Sequence, residues 1–269
     1  MSLIVFGSGS GAPGTTTSVL AMASVWHKPA IIVEADTNTA SAIAAGLFRG
    51  TLDPAAGLAS LAQTWRKGDN LAAELPGALA PIGSSVASVL AGEAIGVNRE
   101  QLPQFQTELL AACLAYADAA SADVFVDVGR VNWPQDVAVF TQAADVLVVV
   151  SRSTLSGVAA ATSAWDLLSQ TRQQSAAQHR IQPPPGFLCV VGPNQPHSIR
   201  EIAELLQICD YQSIQLDPVR AEIYSLGTAP PPELARSPYA LSVRDCAEAV
   251  AATSERNLCQ APVTKGRRE

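Results

Sequence analysis

Short apolar runs rich in β-branched residues alternate along the chain with longer Ala- and Leu-rich stretches, a rhythm that predicts βαβ units and a parallel sheet. Strands are expected at Leu3 to Phe6, Ala30 to Val33, Val86 to Leu90, Val124 to Val126, Val146 to Val150, Phe187 to Val191 and Ile214 to Leu216. Helices are expected at Thr15 to Trp26, Gln104 to Tyr116, Val158 to Gln173, Ile199 to Cys209 and Tyr239 to Asn257. The predicted fold class is α/β, a mostly parallel twisted sheet flanked by helices. Right-handed crossovers would put every strand's carboxyl end on one edge, where the functional loops should gather. Asp53 to Asn98 is the least readable stretch: Gly57 to Arg66 looks helical and Leu75 to Ser85 looks like loop. Two proline triplets, Pro183 to Pro185 and Pro230 to Pro232, read as stiff connections ahead of the next element.

Composition narrows the functional classes. The 269 residues are 48% apolar, ample for a core, and no linker or internal repeat interrupts them. One domain is expected over residues 1–260, with 261–269 a short basic tail. A net charge of −7 argues against a broad surface for DNA or anionic lipid, and two or three basic residues in the tail bind such surfaces only marginally. Lys28, Lys67 and Lys265 are the only lysines, so nearly all positive charge is arginine, which does not serve as a base at neutral pH. Five cysteines without a C-x-x-C point to a reducing, cytoplasmic setting. The chain enters its first strand without a basic leader, and no apolar run approaches ~18 residues, so neither secretion nor membrane spanning is expected. The three histidines are scattered without metal-ligand spacing.

The chemistry gathers at Gly9-Ser10-Gly11-Ala12-Pro13-Gly14-Thr15-Thr16-Thr17, directly after the first strand. Aligned as G-x-x-x-x-G-K-[ST], Gly9 and Gly14 are the fixed glycines and Thr16 the hydroxyl for Mg²⁺, but Thr15 stands where lysine is required. Glycines at 9, 11 and 14 admit close approach of an anion, and the helix start with its threonine hydroxyls supplies donors. The same string is a literal G-x-G-x-x-G, with Glu34 closing the next strand at the distance a ribose-binding acid needs, so a Rossmann-type NAD(P) enzyme is an alternative. The threonine run and the later strands weigh against it. In Asp123-Val124-Phe125-Val126-Asp127-Val128-Gly129 an apolar strand ends in an acid followed by x-Gly; Asp127 would reach the Mg²⁺ shell, and the Gly129 N–H would face a terminal phosphate. Asp36, in Glu34-Ala35-Asp36, places a carboxylate on the same edge to orient water, or simply caps a helix.

In this order, the glycine-rich loop with Thr-Thr, E-A-D, D-V-F-V-D-V-G and A-A-D-V-L-V-V-V resembles the ParA/MinD group of deviant Walker-A ATPases. The likeness spans most of the chain, with Gly192-Pro193-Asn194 and Leu216-Asp217-Pro218 falling where that family's base-contacting segments lie. It implies a P-loop three-layer α/β/α domain, Mg and ATP as cofactors, a nucleotide sandwich homodimer, and a protein partner or cargo. Asn194 and Pro218 would lie by the base, and Asp36 and Asp127 would be the catalytic acids if the site is active.

The family's loop reads K-G-G-x-x-K-[ST]-[ST]; its two lysine positions are Ser10 and Thr15 here. A charge-assisted contact is worth roughly 1.5 to 3 kcal/mol, so weak or lost ATPase activity is the expectation, with dimerisation and partner binding as the output and a nucleotide-free dimeric scaffold as a further alternative. Lys28, roughly 18 Å from the loop along the first helix, is too distant to compensate. Arg130 and Arg152 both follow strands onto the functional edge, Arg130 being the favoured substitute. The helix at Tyr239 to Asn257 carries Asp245, Glu248 and Glu255, unlike a basic membrane-targeting helix.

Overall fold

The computed structural model describes residues 1–10, 14–36, 40–53, 55–92, 96–179 and 183–260. The expected basic tail, 261–269, lies outside them, as does Gly11. Eight strands form one sheet in the order β3-β4-β2-β5-β1-β6-β7-β8. They are β1 (Leu3–Ser8), β2 (Ala30–Glu34), β3 (Ala80–Pro81), β4 (Ala87–Leu90), β5 (Asp123–Arg130), β6 (Val146–Arg152), β7 (Gly186–Val191) and β8 (Asp210–Ile214). All neighbours are parallel except β3 against β4.

Alternation along each strand sends side chains to two cores. Ile4, Phe6, Phe125, Val146, Val148 and Val150 pack with Val19, Leu20 and Met22 of α1 (Thr15–Ser24) and Val243, Cys246 and Val250 of α9 (Pro238–Gln260). Leu3, Val5, Val124, Val126, Leu147 and Val149 face the opposite layer. That layer is built by α2 (Leu58–Lys67), α3 (Leu71–Ala78), α4 (Leu102–Ala119), α5 (Pro134–Ala143), α6 (Leu155–His179) and α7 (Ile199–Leu206). A short α8 (Pro218–Ser225) lies beside α1, where the Tyr224 and Ser24 hydroxyls meet at 3.0 Å.

The structure corrects several boundaries. Leu75 to Ser85 is not simply loop: Asn70 caps α3 by accepting the Ala72 N–H at 2.9 Å, and β3 follows. The last strand lies at Asp210–Ile214 rather than Ile214 to Leu216, and Leu216 is exposed. As an edge strand it is held through backbone pairing to β7 and needs little apolar patterning. Its Ser213 N–H is taken by Gln212 Oε1 at 2.9 Å, and just beyond it the Gln215 N–H donates to the Ser242 hydroxyl at 3.0 Å. α7 ends at Leu206 because Gln207 turns left-handed, with φ 55°.

Opposite the functional edge, buried Asp123 accepts the Ser2 N–H at 2.7 Å and the Trp26 indole N–H at 2.9 Å, with Lys28 Nζ 3.4 Å away. Lys28 therefore serves the far end of β5, in keeping with its expected distance from the loop. Asp123→Ala would strand two buried donors and is expected to cost about 2–3 kcal/mol, read as a lower urea midpoint at unchanged m.

Candidate functional site

β1, at the centre of the parallel strands, ends at buried Ser8, whose hydroxyl faces the Ser10 carbonyl at 3.1 Å and the Gly129 carbonyl at 3.2 Å. One side chain thus ties the loop after β1 to the end of β5. Gly9 needs to be glycine for a reason the loop motif does not contain: a Cβ there would collide with the backbone carbonyl of Ala160 on α6. Gly14 differs. It caps α1 in the left-handed conformation, with φ 93°, and a Cβ on it would meet nothing within 4 Å. Its carbonyl starts the helix by accepting the Ser18 N–H at 2.8 Å. Buried Thr15 leaves Oγ1 without a hydrogen-bonding partner, while Thr16 and Thr17 are half-buried.

Asp127 is fully buried on the α1 side of the sheet. Its Oδ1 accepts the Gly129 N–H at 2.9 Å, while Oδ2 is buried without a partner. Burial pushes the carboxyl up to about 7; nearby Thr16 and the Gly129 amide pull it down, and Glu34 and Asp36 push it further up. The Gly129 amide is therefore committed to Asp127 rather than held out to a phosphate, as the sequence led us to expect. Gly129 is itself left-handed, with φ 59°, and a Cβ would strike the Asp36 carboxylate. Asp36, half-buried, thus sits over Gly129 beside Asp127.

Glu34 is a clamp, which corrects the ribose-binding role open to it as part of a dinucleotide fingerprint. Its Oε2 accepts the Ser41 hydroxyl at 2.5 Å and the Gly92 N–H at 2.8 Å, and its Oε1 accepts the Ile43 N–H at 3.1 Å. Burial raises its pKa against the pull of these bonds. Its oxygens tie together the loops after β2 and β4.

Asn194 and Pro218 belong to the loops after β7 and β8, which adjoin where Gly192 faces Leu216; a Cβ on Gly192 would lie 3.3 Å from Leu216 Cβ. Asn194 is left-handed, with φ 61°, and Pro218 opens α8 behind its cap Asp217, which accepts the Arg220 N–H at 3.0 Å. Ser153, just past β6, welds this region: its buried hydroxyl donates to the Gly192 carbonyl and accepts the Gln195 N–H at 2.9 Å. At ~4.8 Å per strand, β7 and β8 stand roughly 10 and 14 Å from β1, a span suited to an extended ligand with its anionic end at Thr15 and Thr16.

Arg130 is exposed, in register with Ser8 on β5. Ser8, Glu34 as a clamp and Ser153 escaped the sequence reading; their partners lie up to 121 residues away, and no local spacing marks them.

A hard divalent cation fits Asp127 and Thr16: a buried carboxylate oxygen lacking a partner, beside a hydroxyl, is the donor chemistry Mg²⁺ takes when phosphates and water complete its shell. Among the described residues no group of three or more His, Cys, Asp or Glu is arranged to hold a metal by itself, and no helix is long and apolar enough to cross a membrane.

No family model matches the chain, and no curated protein matches it. Its fold is nevertheless shared with solved structures. The ParA family ATPase from Chlorobium tepidum TLS is 15% identical, with 91% of this chain and 97% of that one covered at a TM-score of 0.64. MinD in the MinC:MinD cell division complex of Aquifex aeolicus is 13% identical over 99% of both chains, TM-score 0.66. The septum site-determining protein MinD from Pyrococcus horikoshii OT3, complexed with Mg-ADP, is 16% identical over 96% and 99%, TM-score 0.65. The fold is thus that of ParA/MinD ATPases, a P-loop-type α/β/α arrangement.

Proposed function

We propose that this chain is a ParA/MinD-like nucleotide-binding switch or positioning protein, acting through homodimerisation and partner binding, with weak or lost ATPase activity. The observation that carries the reading is the buried Asp127 carboxyl beside the Thr16 side chain at the start of α1, with its Oδ2 left without a hydrogen-bonding partner and an open, left-handed Gly14 capping the helix. Mg²⁺ would be held by Thr16 and Asp127 and would neutralise charge on a bound triphosphate. The N–H groups at the start of α1, with the Thr15, Thr16 and Thr17 hydroxyls, hold the anionic end. Asn194 and Pro218 flank the base, and Asp36 orients water near Gly129. Without an ammonium at residue 10 or 15, charge developing on the transferred phosphoryl group is poorly met, which makes hydrolysis slow.

Similar solved proteins support the nucleotide and the partner: one carries Mg-ADP and another is bound to MinC. Exposed Trp133, Leu155 and Val219, which follow β5, β6 and β8, give the same edge an apolar rim suited to a second copy.

Calorimetric titration with MgATP tests the proposal. Saturable binding with slow turnover is expected, lost in Gly14→Glu. Brisk hydrolysis would overturn the weak-ATPase reading, absence of any nucleotide binding would favour a scaffold, and saturable NADH binding in place of MgATP binding would favour the dehydrogenase-like alternative.

A further inference from the structure

The loop lacks an ammonium, yet the triphosphate proposed above brings several negative charges next to Glu34, Asp36 and Asp127. Some group of this chain has to offset them, and two arginines flank β1. Strand register separates the two. On β6, Val146, Val148 and Val150 pack into the core shared with α1, whereas Leu147 and Val149 face the other layer. Ser151 keeps to that second face, its hydroxyl meeting the Gly157 carbonyl of α6 at 3.1 Å. Arg152 therefore emerges on the α1 side, the side of Thr15 and Asp127. Gly7 pairs with Val149 across the neighbouring strands β1 and β6, so Arg152, the last residue of β6, stands three residues past that pair, at the edge where β1 runs into the glycine loop.

The arginine is also braced. A Cβ on Gly157 would lie 2.5 Å from the Arg152 carbonyl oxygen and 2.9 Å from its Cβ, so the first turn of α6 presses on this residue, and the Ser151 hydroxyl bonds the Arg152 carbonyl at 2.9 Å. Half-buried, Arg152 makes no ion pair among the described residues. Arg130, by contrast, is exposed, does have an interaction partner, and follows left-handed Gly129, which breaks the alternation of β5.

We propose that Arg152 is the phosphate-contacting cation of this site, supplying from the end of β6 the charge that Thr15 does not. The inference rests on the nucleotide-switch reading. A guanidinium offers a planar fork of donors to two phosphate oxygens, which makes it a good ground-state anchor.

Calorimetry with MgATP on the unsubstituted chain, Arg152→Ala, Arg152→Lys, Arg130→Ala and the double variant Thr15→Lys/Arg152→Ala tests it, with thermal melts confirming that each is folded. Arg152→Ala should weaken binding about 10- to 100-fold. Arg152→Lys should keep most of the affinity, Arg130→Ala should change it less than about 3-fold, and the double variant should regain at least 10-fold over Arg152→Ala. Affinity within 2-fold of the unsubstituted chain in Arg152→Ala, or no recovery in the double variant, overturns the role of Arg152 alone. If the unsubstituted chain binds no MgATP, the nucleotide reading falls and the arginine's role with it.

Discussion

Asp127→Asn is expected to make the ligand-free protein more stable at pH 8, by about 2–4 kcal/mol. The native carboxyl is pushed up to about 7, chiefly by burial, from an ordinary value of 3.8. Between about pH 4 and 7 the folded chain keeps a proton that the unfolded chain has released, so folding is progressively disfavoured as the pH rises through this window. Above about 7 the full penalty applies. Glu34, also raised by burial, tilts the profile the same way. Urea midpoints at pH 5 and pH 8 should differ clearly for the unsubstituted chain and much less for Asp127→Asn, which still offers Oδ1 to the Gly129 amide. Parallel profiles for the two proteins would show that Asp127 is not strained. The same substitution should weaken Mg²⁺-dependent nucleotide binding, because the partnerless oxygen becomes an amide donor or is turned away. Stability withheld by a buried, charged Asp127 is then available to a ligand that relieves it.

Gly9→Ala is expected to cost about 3–5 kcal/mol, well above what its place in a surface loop suggests. The added Cβ meets the main-chain carbonyl of Ala160, which is part of α6 and cannot swing aside as a side-chain tip would. Gly14→Ala supplies the contrast. Space there is open, so the cost is confined to the left-handed backbone, about 1 kcal/mol. Thermal or urea unfolding of the two variants should rank them in that order; similar losses would mean that α6 yields. Two glycines with one role in the motif thus have different physical reasons, one for close packing against α6 and one for the left-handed backbone that caps α1.

This contrast marks how far the sequence could be read. The central strands were legible because they are short, apolar and β-branched, and the placement of Thr16 beside Asp127 because a hydroxyl after a glycine loop and an acid at a strand end are local patterns that a parallel sheet brings to one edge. The Ala-rich stretch around α3 was not, since its helix depends on the Asn70 cap and tolerates Pro76 among its residues. α5 and α8, absent from the expected helices, both begin at prolines; proline suits the first turn of a helix, where its missing N–H is no loss. At the site, the Gly129 amide changed partner because Asp127 folds back on it two residues away. Glu34 had the right spacing for a ribose and the wrong surroundings: two amides and a hydroxyl from distant loops claim it first.

The two margins of the sheet bear on how copies of this chain can join. At one, β3 has only two residues and includes Pro81; at the other, the Ser213 and Gln215 amides are already engaged by Gln212 and Ser242. Neither offers a row of free donors for another backbone to zip onto. Continuous cross-molecule ribbons are thereby discouraged, and association is steered toward closed, face-to-face contacts of helices and strand tips, which end after a fixed number of copies and can come apart again.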